Sequence, residues 1–299
     1  MPTTFDWDSM QSFLAIARAG RLTIAAQRLG IDHTTLSRRI KDLEAALQTR
    51  LFDRSVGGYV LTSQGERFLE SAQAVETLAL EVLRDVAGSS SKVAGTIRIG
   101  APDGFGTSFL APRLGRMREA QPELSIELVT MPRLFNLTKR EADLAIGLAR
   151  PEEGRLHARK LTDYELGLYG STEYLNRCGE PPDREALREH TLLGYIPEMI
   201  YAEELDYIPL VSKDVGPSIT SSNLIAQFNM TLAGAGLCIL PCFMAAREPR
   251  LKRVLQKDVK LIRSFWLIVH TDMRELARVR FCSEFIAEEV RAQRKLFLP

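Results

Sequence analysis

His33, Thr34, Ser37, Arg38 and Lys41 fall on one side of a stretch whose other side carries Leu36, Ile40, Leu43 and Leu47. At helical spacing the apolar set forms a stripe for burial and leaves a polar, partly cationic face concentrated toward the helix start. Such groups suit one kind of recognition: Arg and His bond base acceptors, and Ser and Thr reach bases or phosphates. Arg39, Arg50 and Arg54 add charge nearby, so a local basic patch exists in a chain whose formal net charge is only +1. For any single polar stripe the plain alternative is a solvated helix face. No nucleophile stands at a recognisable spacing from a base, no glycine-rich loop carries a phosphate-binding lysine, and no carboxylates pair in a motif. An enzyme is therefore not expected. The four histidines have no metal-ligand spacing, so neither a metal nor a cofactor is expected.

The elements that must position this face can be read around it. Asp8 and Gln11 have the spacing of a capping box, and Met10, Phe13, Leu14 and Ala17 follow at helical intervals, predicting a helix over 8–19. Gly20 stops it, Thr23 caps a short helix over 24–29, and Gly30 ends that one. Asp32 then caps the helix bearing the polar face. Two helices joined by a tight turn, the second presenting its first residues outward, is the arrangement that places side chains in a major groove. Leu51–Arg54 and Tyr59–Thr62 read as short strands around Gly57-Gly58, a hairpin with Arg50 and Arg54 at its base.

At 299 residues, of which 45% are hydrophobic and 26% charged, the chain suits about two domains of roughly 150 residues. All four cysteines lie in the C-terminal half and no basic-flanked apolar run opens the chain, so a reducing cytoplasm is the simplest compartment. No stretch approaches the roughly 20 apolar residues of a bilayer span, and no membrane partner is expected. Ser63 and Glu66 suggest a second capping box, after which Phe68, Ala72, Val75, Ala79, Val82 and Val86 alternate spacings of four and three. That heptad seam must be buried, either on a second copy of the chain or on the chain's own domains. Gly88-Ser89-Ser90-Ser91 then reads as a flexible linker.

The N-terminal third resembles the LysR-type transcriptional regulators. The likeness is carried by Phe13-Leu14-Ala15-Ile16-Ala17, Leu22 to Leu29, Leu36-Ser37-Arg38-Arg39-Ile40-Lys41-Asp42-Leu43-Glu44, Leu51-Phe52-Asp53-Arg54 and Leu61-Thr62-Ser63-Gln64-Gly65. It implies that His33, Thr34, Ser37 and Arg38 face bases, with Arg39 in the basic patch, while Thr23, Arg54 and Thr62 approach the DNA backbone. The family often has Gln-Pro where this chain has His33-Thr34. The resemblance also favours the dimer for the seam, a dimer of dimers as the assembly, and contact with RNA polymerase.

From Gly95 onward, short β-rich runs alternate with helices: Thr96–Gly100, Ser125–Thr130, Asp143–Leu148, Glu165–Tyr169 and Phe265–His270. This alternation predicts open α/β sheets, whose ligands sit beyond strand C-terminal ends near helix N-termini. Three places qualify: Pro102-Asp103-Gly104 with Thr107, then Thr130 with Arg150, then Ser221-Ser222-Asn223. Helix capping alone is the alternative for each. Ala142 to Gly147 and Ala233 to Pro241 resemble the LysR effector domain, similar to type II periplasmic binding proteins. The whole is then a winged helix-turn-helix (1–63), a linker helix and hinge (64–92) and a two-lobed effector domain (93–299). Lobe I takes about 93–162 and 268–299, lobe II about 163–267, and a small-molecule effector sits between them. Asp103 departs from the more usual Ser or Thr, and an acid there would repel a carboxylate. Tyr195, Tyr201 and Tyr207 are candidates for the cleft rim, with core packing as the alternative. Cys238 and Cys242 read as buried, inert thiols, and His270 as structural. A stand-alone solute-binding protein and an enzyme on the same scaffold are the rival readings of the C-terminal part.

Overall fold

The computed structural model describes residues 6–55, 58–86, 93–131, 137, 141–152, 154–212 and 215–299. Contacts divide the chain into two units, Met1–Lys92 and Val93–Pro299. The first contains α1 (Trp7–Ala19), α2 (Leu22–Leu29), α3 (His33–Ala46), the hairpin β1 (Phe52–Ser55) and β2 (Gly58–Leu61), and the long helix α4 (Ser63–Val86). Met10, Phe13, Leu14, Ile16, Leu36, Ile40, Leu43 and Phe52 are buried together as its core. Each large side chain fully buried there contributes about 1.5–3 kcal/mol, and Phe13 meets Phe52 and Phe68 at ring distances of 5.1 and 4.8 Å.

The helices stand where the apolar spacing put them, but three caps differ. Asp6, not Asp8, caps α1: its backbone is extended and its carboxylate accepts from the Ser9 N–H at 2.6 Å. Asp8 lies inside the helix, bonded to Arg39 instead. Thr23 also lies inside its helix, α2 starting after Arg21 with no side-chain cap. Thr62 replaces Ser63 as the cap of α4, its hydroxyl accepting from the Gly65 N–H at 3.0 Å. Asp32 caps α3 as expected, accepting from the Thr34 and Thr35 N–H groups. Gly57 and the linker residues Gly88 to Ser91 lie outside the described residues. Gly58 has φ 129°, and a Cβ there would lie 2.3 Å from the Gly20 carbonyl oxygen. Glycine is therefore required where the hairpin crosses the α1–α2 turn, sealed by the Tyr59 N–H donating to Gly20 O at 2.8 Å.

The second unit runs β3 (Gly95–Ala101), α5 (Asp103–Phe105), a π turn (Gly106–Leu110), α6 (Leu114–Ala120), β4 (Leu124–Thr130), β5 (Leu144–Gly147) and β6 (Leu156–Ser171). It continues through α7 (Thr172–Cys178), β7 (Leu192–Tyr195), α8 (Ile208–Val211), β8 (Ile219–Ser221), α9 (Leu224–Leu232), β9 (Leu237–Pro241) and α10 (Cys242–Ala245). β10 (Leu251–Val254), β11 (Leu261–His270), α11 (Ala277–Ala292) and α12 (Arg294–Phe297) complete it. Among the described residues the strands hydrogen-bond in the order β4-β3-β5-β11-β6-β9-β7-β8, with β10 also on β6.

This order defines two lobes. Parallel pairs of β3 with β4 and β5 make one, and parallel pairs of β7 with β8 and β9 make the other. β6 and β11 are antiparallel and run through both: β11 pairs with β5 at Trp266–Val269, and β6 pairs with β9 at Leu166–Tyr169. Their register shifts between Phe265 and Trp266, whose partners are Thr162 and Lys160, leaving Leu161 as the bulged residue. At the same level Phe265 stacks on Tyr164 with ring centroids 4.1 Å apart and also meets Phe105, Phe243 and Phe297. An aromatic knot thus ties α5, β6, α10, β11 and α12 together.

Candidate DNA interface and ligand cleft

α3 buries Leu36, Ile40 and Leu43 and leaves His33, Thr34, Arg38 and Lys41 exposed, with Ser37 half-buried. The Asp32 carboxylate accepts from two backbone N–H groups and from the Thr35 hydroxyl at 2.6 Å, and also bonds the Thr34 hydroxyl. These bonds, the Thr34 hydroxyl first, hold its carboxyl far below the usual range. The first turn of α3 is therefore fixed before any partner arrives. Arg38 and Lys41 form no ion pair among the described residues, whereas Arg39 bonds Asp8 at 2.8 Å and Arg54 bonds Glu44 at 3.2 Å.

Glu44 ties the helix to the hairpin, a role that its place in the sequence does not signal. Its Oε1 accepts from the Leu51 and Phe52 N–H groups at 2.9 and 3.2 Å, and its Oε2 accepts from Arg54. The last turn of α3 thereby grips the base of the hairpin. Arg54 also lies 5.4 Å from the centre of the Tyr59 ring, so its guanidinium is held in place at the hairpin's flank. Thr62, expected near the DNA backbone, uses its hydroxyl to donate to Arg50 O at 2.7 Å while capping α4. Thr23 is exposed on α2.

The expected intersubunit seam divides. Phe68 and Ala72 pack on their own unit's core, Ala72 being fully buried there, because the first turns of α4 face α1 and the hairpin. Val75 is 42% exposed and Ala79 half-buried; the side chains of Val82 and Val86 lie outside the described residues.

In the second unit β3 delivers Asp103 to the crevice between the lobes, where it is 3% exposed. Its Oδ1 accepts from the Gly104 N–H at 3.0 Å and its Oδ2 from the Leu224 N–H at 2.7 Å. Leu224 opens α9 of the other lobe, so this carboxylate bridges the two. Burial pushes the Asp103 carboxyl above its ordinary value, against the opposing pull of the Leu224 and Gly104 N–H donors. Asn223 caps the same helix by accepting from the Ala226 N–H at 2.9 Å, and the Ser221 hydroxyl accepts from the Asn223 N–H at 3.1 Å. The groups expected to wait for a ligand at this helix end are largely satisfied from within.

The other expected contacts scatter. Thr107 is exposed on the π turn and Thr130 packs its methyl over Gly106, where a Cβ would lie 2.3 Å away. Pro102 and Arg150 line a cavity of about 240 Å³ with Leu148, Leu156, Tyr201 and Ile268. A second cavity of about 870 Å³ is lined by Tyr195, Pro197, Ile200, Tyr201, Leu205 and Pro209 among others. A gap of only about 20 Å³ shares walls with both and is edged by Pro102, Asp103, Gly104, Tyr195, Tyr201 and Leu224. Tyr201 is therefore the half-buried ring on both cavities, whereas Tyr195, at the wall of the larger one, and Tyr207 are buried in the core. Burial raises the hydroxyls of all three, so they are neutral hydrogen-bonding groups.

Cys238 and Cys242 are buried, and burial pushes the Cys238 thiol up to about 12 and raises that of Cys242. Neither is a ready thiolate. His270 is buried with its Nδ1 accepting from the Asp272 N–H at 3.3 Å, the structural role expected of it. No group of His, Cys, Asp and Glu among the described residues could hold a metal ion, and no helix among them is long and apolar enough to cross a membrane.

A helix-turn-helix with a hairpin wing, in one chain with a two-lobed α/β unit, defines a DNA-binding regulator with a ligand-binding domain. The family model of the bacterial regulatory helix-turn-helix protein, lysR family, matches residues 7–66, and that of the LysR substrate binding domain matches residues 90–291. The chain belongs to the LysR family of bacterial transcription regulators, which are DNA-binding regulators and not enzymes. It is 30% identical over 294 residues to the HTH-type transcriptional activator TtdR of Escherichia coli, covering 93% of this chain and 91% of the relative. It is 23% identical to the HTH-type transcriptional regulator CrgA of Neisseria meningitidis, covering 95% and 96%. Among solved structures, a full-length cysteine-to-aspartate variant of OxyR from Pseudomonas aeruginosa shares the fold with TM-score 0.74 at 19% identity, covering 96% of this chain and 98% of that one. CrgA shares it with TM-score 0.61 at 22% identity, covering 96% and 99%.

Proposed function

We propose that α3 reads base edges in a major groove through His33, Thr34, Ser37 and Arg38, while Arg54 on the wing meets the phosphate backbone. The observation that carries this reading is the division of α3: one face is sealed into the core, and the other presents a pre-capped first turn and an exposed Arg38. Arg39 and Thr62, engaged within the unit, are supports of that surface more than readers of DNA. Two copies of the chain pair through the outer part of α4, where Val75 is exposed, and present two heads to half-sites roughly 34–36 Å or a multiple apart. Dimers assemble in pairs. The protein works in the cytoplasm.

The second unit takes a small-molecule effector at the cleft walls around Tyr201, with Tyr195 on one side and Pro102 and Arg150 on the other. Binding changes lobe geometry, and through it the placement of the reading heads, DNA bending and access of RNA polymerase. Only a difference in affinity for two conformations drives such a shift. Fluorescence anisotropy with cognate and random duplexes tests the reading head. Arg38→Ala should lose about 1–3 kcal/mol on the cognate site and little on random DNA, whereas Arg54→Ala should weaken both alike. Equal loss on both duplexes for Arg38→Ala removes its base-reading role.

A further inference from the structure

We propose that Asp103 is a built-in anion: its carboxylate occupies the seat at the N-terminus of α9 and latches the lobes, so no effector carboxylate is taken at this helix end. This rests on the reading of the interlobe cleft as the ligand site and adds which of its walls refuses an anion. A helix N-terminus in a crevice is a ready anion site, because its first N–H groups lack partners and the helix dipole favours negative charge. In this chain the side chain of another lobe already fills that role. Both Asp103 oxygens act as acceptors, Oδ2 at 2.7 Å from the Leu224 N–H and Oδ1 at 3.0 Å from the Gly104 N–H. Asn223 takes the Ala226 N–H of the same turn.

The fit around the latch leaves no second place for an anion at this helix end. The adjoining gap holds only about 20 Å³, about a single water's worth of space, and a Cβ at Gly104 would lie 2.7 Å from Leu224 Cδ2. A carboxylate brought to this helix end would have to expel Asp103 into a crevice walled by Tyr164, Leu166, Phe243 and Phe265, or share the seat with a like charge. Space for a ligand exists to either side of Tyr201 instead, with Tyr195 at the wall of one cavity and Arg150 at the wall of the other.

Chemical rescue tests the seat with the full chain and no knowledge of the effector. Asp103→Ala removes the carboxylate and leaves room for formate or acetate, which should raise its unfolding midpoint saturably, on the order of 2–4 °C, relative to sodium chloride at equal ionic strength. Wild type should show no such shift. Should Asp103→Ala not fold, Asp103→Ser leaves similar room and one acceptor. In the wild type, formate should leave the Leu224 amide resonance unmoved. A formate shift at Leu224 in wild type, or foldable variants that respond to formate no more than wild type does, overturns the proposal. A thermal-shift screen of small metabolites on wild type and Tyr201→Ala separates the two readings: a failed rescue while a small molecule still stabilises wild type through Tyr201 removes the latch alone.

Discussion

At the scale of single residues, two aspartates show how position turns one side chain to opposite uses. Asp32 is exposed and surrounded by donors, so its folded carboxyl sits below the ordinary 3.8. Its contribution to stability is present above that value and is lost as pH falls toward the lower folded one. Asp103 is raised by burial, so the pH-dependent part of its contribution has the other sign: it is fullest below 3.8 and falls away as pH rises through the raised folded value, leaving the bonds to the Gly104 and Leu224 N–H groups. Thermal unfolding across that range should show Asp103→Asn gaining on wild type as pH rises, on top of a constant loss from the missing acceptor. A constant difference at every pH would show that Asp103 does not titrate in that window. For Asp32→Ala, hydrogen exchange should show the Thr34 and Thr35 amides losing protection, with a matching loss of cognate DNA affinity. The sequence displayed both aspartates, one as a cap and one as an oddity among expected hydroxyls. It could not display that Asp103 reaches Leu224, since that bond joins residues 121 positions apart.

At the scale of elements, spacing predicted which helices exist and was silent about what covers them. The pattern Phe68, Ala72, Val75, Ala79 demands burial, but a period has no address: Phe68 and Ala72 answer to the unit's own Phe13 and its neighbours, and Val75 does not. Val75→Asp should therefore shift the protein toward a smaller species in sedimentation, with the unfolding of the head little changed. A loss of head stability with unchanged sedimentation would place Val75 in the intramolecular core. Caps were misplaced by one or two residues because Asp6 and Asp8, or Thr62 and Ser63, offer equivalent acceptors, and only the entering backbone chooses. Glu44 offers a further check on the coupling of α3 to the wing. Glu44→Ala strips acceptors from the Leu51 and Phe52 amides and a partner from Arg54, and should cost about 1–3 kcal/mol of stability. Chemical denaturation measures it.

At the scale of the whole molecule, the two-unit architecture was readable because patterning changes abruptly near Gly95, from helical spacing to alternating strands and helices. The individual strands were less so. β7, β9 and β10 are four or five residues each, too short for periodicity to distinguish from the ends of helices. The ligand places divide for a different reason: hydroxyl and amide side chains at strand ends also serve local turns and caps, and Ser221 and Asn223 are engaged in that way, whereas Pro102 and Arg150 line a cavity. DNase footprints with and without a cleft ligand test the regulatory reading at this scale. A productive ligand should change the extent of protection or the hypersensitive pattern, and footprints indifferent to every molecule that binds the cleft would remove it.

β6 and β11 stay hydrogen-bonded to each other from one lobe into the other, interrupted only by the bulge at Leu161. The lobes are therefore joined by a paired ribbon and not by single strands, and the bulge is the place where that ribbon bends and twists most easily. A change that straightens the ladder there, such as deletion of Leu161, should stiffen the link between the lobes, and slower hydrogen exchange along Thr162–Leu166 would show it.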